Sequence, residues 1–315
     1  ECVLAEKFEH FRYKNHRFYV MDDYSKTVHV FSDEGKFLHC IGSKGQGPKE
    51  FYWCYQLVVD EHSLYILDMQ NRIKKYDLEG NWIKDIKLTK QPYRLLSLGN
   101  GKLACYISDD QFPKKEDAYS WLVLDAEGDS LTCINTNAWR ENKVMQNYWV
   151  ENEFSTQYPM TYKEAYNDSL YYFTSDTYQP VAYGVILPGK HQLSPDLTWE
   201  DIKNVKHGLR ISYIYDTPRY LIFNYKCLCT EDIQDVLLGT FDKKTGEFFN
   251  IFNKNGEPKI TNDLGGPDFT LLACVYPNLL IGIAEANMCS EEFVQKYQVR
   301  GDDNQVLVMM ECRQR

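Results

Sequence analysis

Short runs of Tyr, Phe, Ile, Val and Leu recur along the chain between polar turns, and two stretches carry them in the same order. From Phe18 to Gly42 the sequence reads FYVMDDYSKTVHVFSDEGKFLHCIG, and from Ser63 to Leu88 it reads SLYILDMQNRIKKYDLEGNWIKDIKL. In each, an apolar-aromatic run ends in aspartate (Asp22, Asp68), a second run ends at an aromatic (Phe31, Tyr76), and Glu-Gly (Glu34-Gly35, Glu79-Gly80) turns into a third. Runs this short are strands rather than helices, and acidic-Gly pairs between them are hairpin turns. The repeat is therefore a β-meander. Its period, 46 residues between Asp22 and Asp68, fits a propeller blade, and a unit too small to bury both faces must stack against neighbours.

The lead run occurs six times, at Phe18, Leu64, Lys102–Tyr106, Leu170–Thr174, Arg219–Phe223 and Asn278–Gly282. A further strand precedes each copy: Phe8–Tyr13, Tyr55–Asp60, Tyr93–Leu98, Met160–Tyr166, Leu209–Tyr215 and Phe269–Tyr276. The expected fold is all-β: one six-bladed β-propeller of mostly four-stranded antiparallel blades, over 1–50, 51–90, 91–140, 158–192, 208–254 and 267–315. Pro180 confines the last strand of the fourth unit to an edge or bulge. The sixth unit ends one strand short at Gln305–Cys312, so residues upstream of Phe8 are expected to pair there and close the ring. Two short helical insertions are predicted, Leu197–Val205 after Ser194-Pro195 and Glu291–Tyr297 after Ser290. Asn137–Tyr158 is a long aromatic connection, expected to pack over the body.

Composition supports interlocked sheets, with 24 Tyr, 16 Phe and 6 Trp. A net charge of −10 and a pI near 5.3 argue against nucleic acid or an anionic membrane surface as partner. No run of about 18 apolar residues exists to span a bilayer. The chain opens within strand-like sequence at Cys2-Val3-Leu4, so further sequence is expected upstream. The ten cysteines show no zinc spacing and read as small buried hydrophobes on strands; Cys105 and Cys133 fall on strands too far apart to bridge.

Other motifs carry little chemistry. Gly42-x-x-Gly45-x-Gly47-Pro48-Lys49 looks like a phosphate loop, but a strand follows it, so it reads as a structural link between blades. The acidic pairs Asp22-Asp23, Glu116-Asp117, Glu231-Asp232 and Asp302-Asp303 lack EF-hand spacing and read as solvated turns. The seven His show no zinc pairing. Asp129-Ser130-Leu131 and Asp168-Ser169-Leu170 match a short O-glycosylation motif but lie where turns meet strands, which favour the same residues.

Asn71-Arg72-Ile73 followed by Tyr76-Asp77-Leu78-Glu79-Gly80 resembles an NHL-type repeat. More widely, GSKGQGPKEF at Gly42–Phe51, DLGGPDF at Asp263–Phe269 and Asp303-Asn304-Gln305 resemble, in order, the landmarks of the six-bladed β-propeller family of Bacteroidetes, often lipoproteins; Gln305 stands where that family usually has proline. The resemblance implies a periplasmic or cell-surface protein, an outer-membrane lipoprotein anchored through an N-terminus outside this chain. It carries over no catalytic residues. The expected role is an extracytoplasmic binding or scaffold module for a protein, carbohydrate or small anionic ligand, leaning away from catalysis. The alternative is a lactonase-type hydrolase or lyase with a divalent metal in the central channel; no cofactor is otherwise expected. In a propeller the first strands line the axis, so a ligand is expected at residues leading into them: Trp53, Arg94, Lys163, Arg210 and Phe269.

Overall fold

The computed structural model describes residues 10–22, 24–135, 153–154, 161–163, 168–174, 176–191, 208–228, 236–263, 265–275, 278–300 and 305–311. The fold is an all-β six-bladed propeller, and its sheets fall into two compact units, Glu1–Trp139 with Thr174–Gln179, and Arg140–Phe173 with Pro180–Arg315.

The first unit holds three blades, each with its strands in chain order. Blade one is β1 (Phe11–Lys14), β2 (Arg17–Asp22), β3 (Thr27–Ser32) and β4 (Phe37–Ile41). Blade two is β5 (Gln56–Val59), β6 (Ser63–Asp68), β7 (Arg72–Asp77) and β8 (Trp82–Lys87); blade three is β9 (Arg94–Gly99), β10 (Lys102–Tyr106), β11 (Trp121–Leu124) and β12 (Ser130–Ile134). The second unit holds β13 (Glu153–Phe154), β14 (Thr161–Lys163), β15 (Ser169–Phe173) and β16 (Pro180–Val185) in blade four. Blade five is β17 (Gly208–Asp216), β18 (Tyr220–Leu228), β19 (Leu237–Asp242) and β20 (Phe248–Ile251); β21 (Thr270–Val275), β22 (Leu279–Ala284) and β23 (Val306–Glu311) form blade six. All pairings within the blades are antiparallel.

The lead runs are the second strands of blades one, two, three, five and six and the third, β15, of blade four, and the packing explains why those of blades two and five read as unbroken apolar segments. Leu64 and Ile66 of β6 pack with Tyr19, Met21 and Val28 of blade one, whereas Tyr65 and Leu67 pack with Leu95, Leu103 and Cys105 of blade three. A strand buried on both faces has no polar side. In the second unit β18 does the same: Leu221 and Phe223 pack with Leu170 of blade four, and Ile222 with Leu271 and Leu280 of blade six. Each fully buried aliphatic or aromatic side chain contributes roughly 1.5–3 kcal/mol.

The Glu-Gly turns form as expected. In blade two, Asp77 Oδ1 accepts from the amides of Glu79 (3.0 Å) and Asn81 (2.8 Å). Pro180 opens the outermost strand of its blade opposite Phe173, a position that asks it for no interior ladder bond. One strand escaped the sequence: two-residue β13, inside the long aromatic connection, pairs with β14. The helix α1 (Glu291–Tyr297) forms with Ser290 as its cap, accepting from the Phe293 amide at 3.2 Å. The helix expected at Leu197–Val205 and the closing strand upstream of Phe8 lie outside the described residues. Cys105 and Cys133 are both free; Cys54, Cys105 and Cys274 are buried as expected, but Cys40 and Cys133 are exposed on outer strands. Among the described residues no helix is long and apolar enough to cross a membrane.

Candidate functional site

The glycine-rich link from β4 to β5 must carry the chain from the outside of one blade to the inside of the next. It wraps a lysine. Lys74, fully buried on β7, donates to the carbonyls of Gly47 and Pro48, both at 3.0 Å, and lies 3.2 Å from Asp85 of β8. Glu50 accepts from the Gly47 amide at 2.8 Å, and a Cβ on Gly45 would strike the Glu50 carboxylate. The link thus already holds a carboxylate of its own where a phosphate loop would hold its ligand, as the structural reading of this motif requires.

Beyond the link the chain runs Phe51-Tyr52-Trp53-Cys54-Tyr55, with Phe51 and Cys54 buried. Buried Asp68, at the end of β6, accepts from the amides of Tyr52 (3.1 Å) and Trp53 (2.9 Å) and pairs with Arg72, which also lies 3.6 Å from Asp85. That anchorage turns Tyr52, Trp53 and Tyr55 outward, 49%, 44% and 43% exposed. The ammonium of Lys26 sits 3.8 Å above the Trp53 ring, a cation–π contact. Beside this loop a cleft of about 390 Å³ is lined by Gln46, Tyr52, Met69, Gln70 and Arg72.

Trp53 and Arg94 were both expected to lead into first strands, and both do. Arg94 opens β9, stacks on Tyr93 at 5.0 Å and donates to the Tyr93 carbonyl at 3.1 Å. Sequence reasoning missed Arg12. It lies on β1, its guanidinium donates to the Phe11 carbonyl at 2.6 Å, and among the described residues no carboxylate pairs with it. Burial, opposed by Cys54 and reinforced by nearby Arg94, pushes its pKa down to about 10. Its signal was local: a cation alternating with Phe11 and Tyr13 on a first strand. At the same end, the Gln111 carboxamide accepts from the Gln91 amide at 2.9 Å and donates to the Gln91 carbonyl at 2.6 Å, while the Gln91 side chain donates to the Asp68 carbonyl at 3.3 Å, locking blades two and three together.

The other three expected residues belong to the second unit. Lys163 does not lead into a first strand: because β13 adds a strand ahead of it, it is half-buried at the end of β14, the second strand of blade four, between Glu153 of β13 and Leu170 of β15. Arg210 lies on β17 opposite Lys226, with its side chain outside the described residues. Phe269 is only 2% exposed, and a Cβ on Gly282 would come within 2.1 Å of its ring, so it fills the packing of blade six rather than facing a mouth. Nearby in chain order, Asp216 ends β17 with its carboxylate accepting from Tyr183 (2.8 Å) and Thr161 (3.0 Å) and paired with Lys243. Burial and that carboxylate push the Tyr183 phenol up, which suits a structural donor. Among the described residues no three His, Cys, Asp or Glu side chains come together as metal ligands.

Residues 1–311 match the profile of the family described as "Domain of unknown function (DUF4934)", and the chain belongs to that family. Among solved structures it is similar to a Bacteroides fragilis protein described as "putative exported protein", at 15% identity and a TM-score of 0.70, over 99% of this chain and 92% of that one. It is also similar to a member of the DUF4221 family from Bacteroides vulgatus, at 11% identity and a TM-score of 0.56, over 96% and 92%. At these identities the likeness is one of fold. No curated protein matches.

Proposed function

We propose that this DUF4934 chain is an exported binding propeller that takes a small anionic ligand where the first strands of blades one to three begin, with Arg12 and Arg94 as charge partners and Trp53 as a stacking face. The observation that carries this reading is Arg12: a desolvated guanidinium that no carboxylate pairs with among the described residues, beside a second arginine, in a chain of net charge −10. Holding a cation so costs the folded protein on the order of 3 kcal/mol by the depression of its pKa, and a bound carboxylate, sulfate or phosphate would offset that cost with charge-assisted hydrogen bonds. Placement outside the cytoplasm is supported by the description of the Bacteroides fragilis relative and by the resemblance to Bacteroidetes lipoproteins. In the second unit, Arg210 on β17 is the cation that holds the corresponding first-strand position.

The test is calorimetry with inorganic phosphate, sulfate, citrate and glucuronate at low and high salt, on the wild type and on R12Q/R94Q. The expected result is salt-sensitive binding of at least one anion, lost in the double variant. The R12Q protein should melt no lower than the wild type. Anion binding that persists in R12Q/R94Q, or its absence in the wild type, rejects the reading. A divalent metal retained through purification would favour the lactonase-type alternative instead.

A further inference from the structure

The cleft beside the turn joining β6 to β7 differs in kind from the arginine end. Arg72 is the only ionisable side chain among Gln46, Tyr52, Met69, Gln70 and Arg72 except for the Tyr52 phenol, and two of its nitrogens already face Asp68 and Asp85. The cleft therefore exerts little net pull on a charged ligand. Its polar groups are also unspent: neither Gln46 nor Gln70 has a hydrogen-bond partner among the described residues, and each carboxamide offers two donors and an acceptor.

The turn itself is held under strain. Gln70 and Asn71 both adopt left-handed backbone, with φ of 65° and 54°. Three residues, Met69 to Asn71, join the paired Asp68 and Arg72, and a left-handed glutamine among them costs about 1 kcal/mol or more. The strain is fixed in place, because the Asn71 amide donates to the Gln91 side chain at 2.8 Å from the loop before β9. Opposite, Tyr52 is equally fixed, its amide bound by Asp68, so a half-exposed ring stands beside the half-exposed Met69 thioether. Unpaired carboxamides and an aromatic face lining about 390 Å³ fit a small ligand with hydroxyls on its rim and C–H groups on its face.

We infer that this cleft is a subsite for an uncharged saccharide, one or two sugar rings long, held by Gln46 and Gln70 through vicinal hydroxyls and stacked on Tyr52. It does not depend on the anion reading, since the two sites differ in residues and in charge preference.

The experiment is a broad glycan array of neutral and acidic glycans probed with the full chain, followed by calorimetry with the strongest neutral binder. The variants are Q46A, Q70G, Y52L and R12Q/R94Q. Q70G removes the carboxamide while relieving the turn, so its Tm should hold or rise. The expected outcome is selection of neutral glycans, affinity insensitive to salt, and a loss of about three- to tenfold for each of Q46A and Q70G, the effect of a neutral hydrogen bond. R12Q/R94Q should leave glycan affinity unchanged. The inference fails if no neutral glycan is retained, if only acidic glycans bind and salt displaces them, or if Q46A and Q70G bind as the wild type does. Glycan binding lost only in R12Q/R94Q would also overturn it, while leaving the arginine site standing.

Discussion

Lys74 in blade two and Lys243 in blade five make the same kind of connection at different depths. Each ammonium joins backbone carbonyl oxygen to an aspartate: Lys74 to Gly47, Pro48 and Asp85, Lys243 to Thr217 (2.7 Å) and Asp216. Lys74 is wholly buried, whereas Lys243 keeps 32% of its side-chain surface in water. Water can replace what Lys243 supplies. Lys74 is harder to replace, because its loss would take from the Gly47 and Pro48 carbonyls a donor held inside the blade and from Asp85 the nearer of its two cations. The difference teaches that the worth of these ties is set by the penalty for leaving their partners unpaired rather than by the number of bonds.

The sharpest way to break the comparison is to truncate both lysines. K74M is expected to destabilise by about 3–5 kcal/mol, the cost of breaking a buried ion pair, and K243M by roughly 0.5–1.5 kcal/mol. Urea unfolding of the two variants checks this, and equal losses would mean that depth is not the deciding variable. A smaller effect separates two glycines with the same backbone. Gly42, with φ of 71°, lies against the buried Phe51 ring, where a Cβ would come within 2.4 Å, while Gly246, with φ of 76°, faces open space. G246A should cost about 1 kcal/mol for the left-handed backbone alone. G42A should cost about 2–4 kcal/mol, because overpacking of the ring is added.

The smallest effect concerns two turns of matching geometry. Asp77 Oδ1 accepts from Glu79 and Asn81; Asn253 Oδ1 accepts from Asn255 (3.0 Å) and Glu257 (2.8 Å). Burial opposes the ionisation of Asp77, but hydrogen bonds from Asn81, Glu79 and Gly80 outweigh it and hold the carboxyl below its usual range. A carboxyl depressed in the fold adds stability that is present above the unfolded value of about 3.9 and is lost as pH falls through the folded one. D77N should therefore flatten the acid limb of the stability curve below about pH 4 while leaving neutral stability within about 1 kcal/mol. N253D should introduce such a limb at the other turn. Melting temperatures across the acid range, compared at constant ionic strength, decide it.

What could be read from residues alone was whatever local chemistry specifies. Lead runs such as β6 and β18 were legible because a strand buried on both faces has to be apolar throughout, and the hairpins because Asp and Gly satisfy a turn within five residues. Trp53 and Arg94 could be placed ahead of first strands by the same order of elements. The remainder needed the tertiary structure. Phe269 became packing only when Gly282 came against it, Lys74 became a buried tie only when a link 27 residues away in sequence closed over it, and Arg12 stood out once burial took it from water with no carboxylate paired to it among the described residues. The cleft at Gln70 likewise exists only where the link before β5 meets the turn after β6. Desolvation and missing partners are properties of what surrounds a side chain, and those surroundings are assembled from segments whose separation along the chain leaves no local pattern.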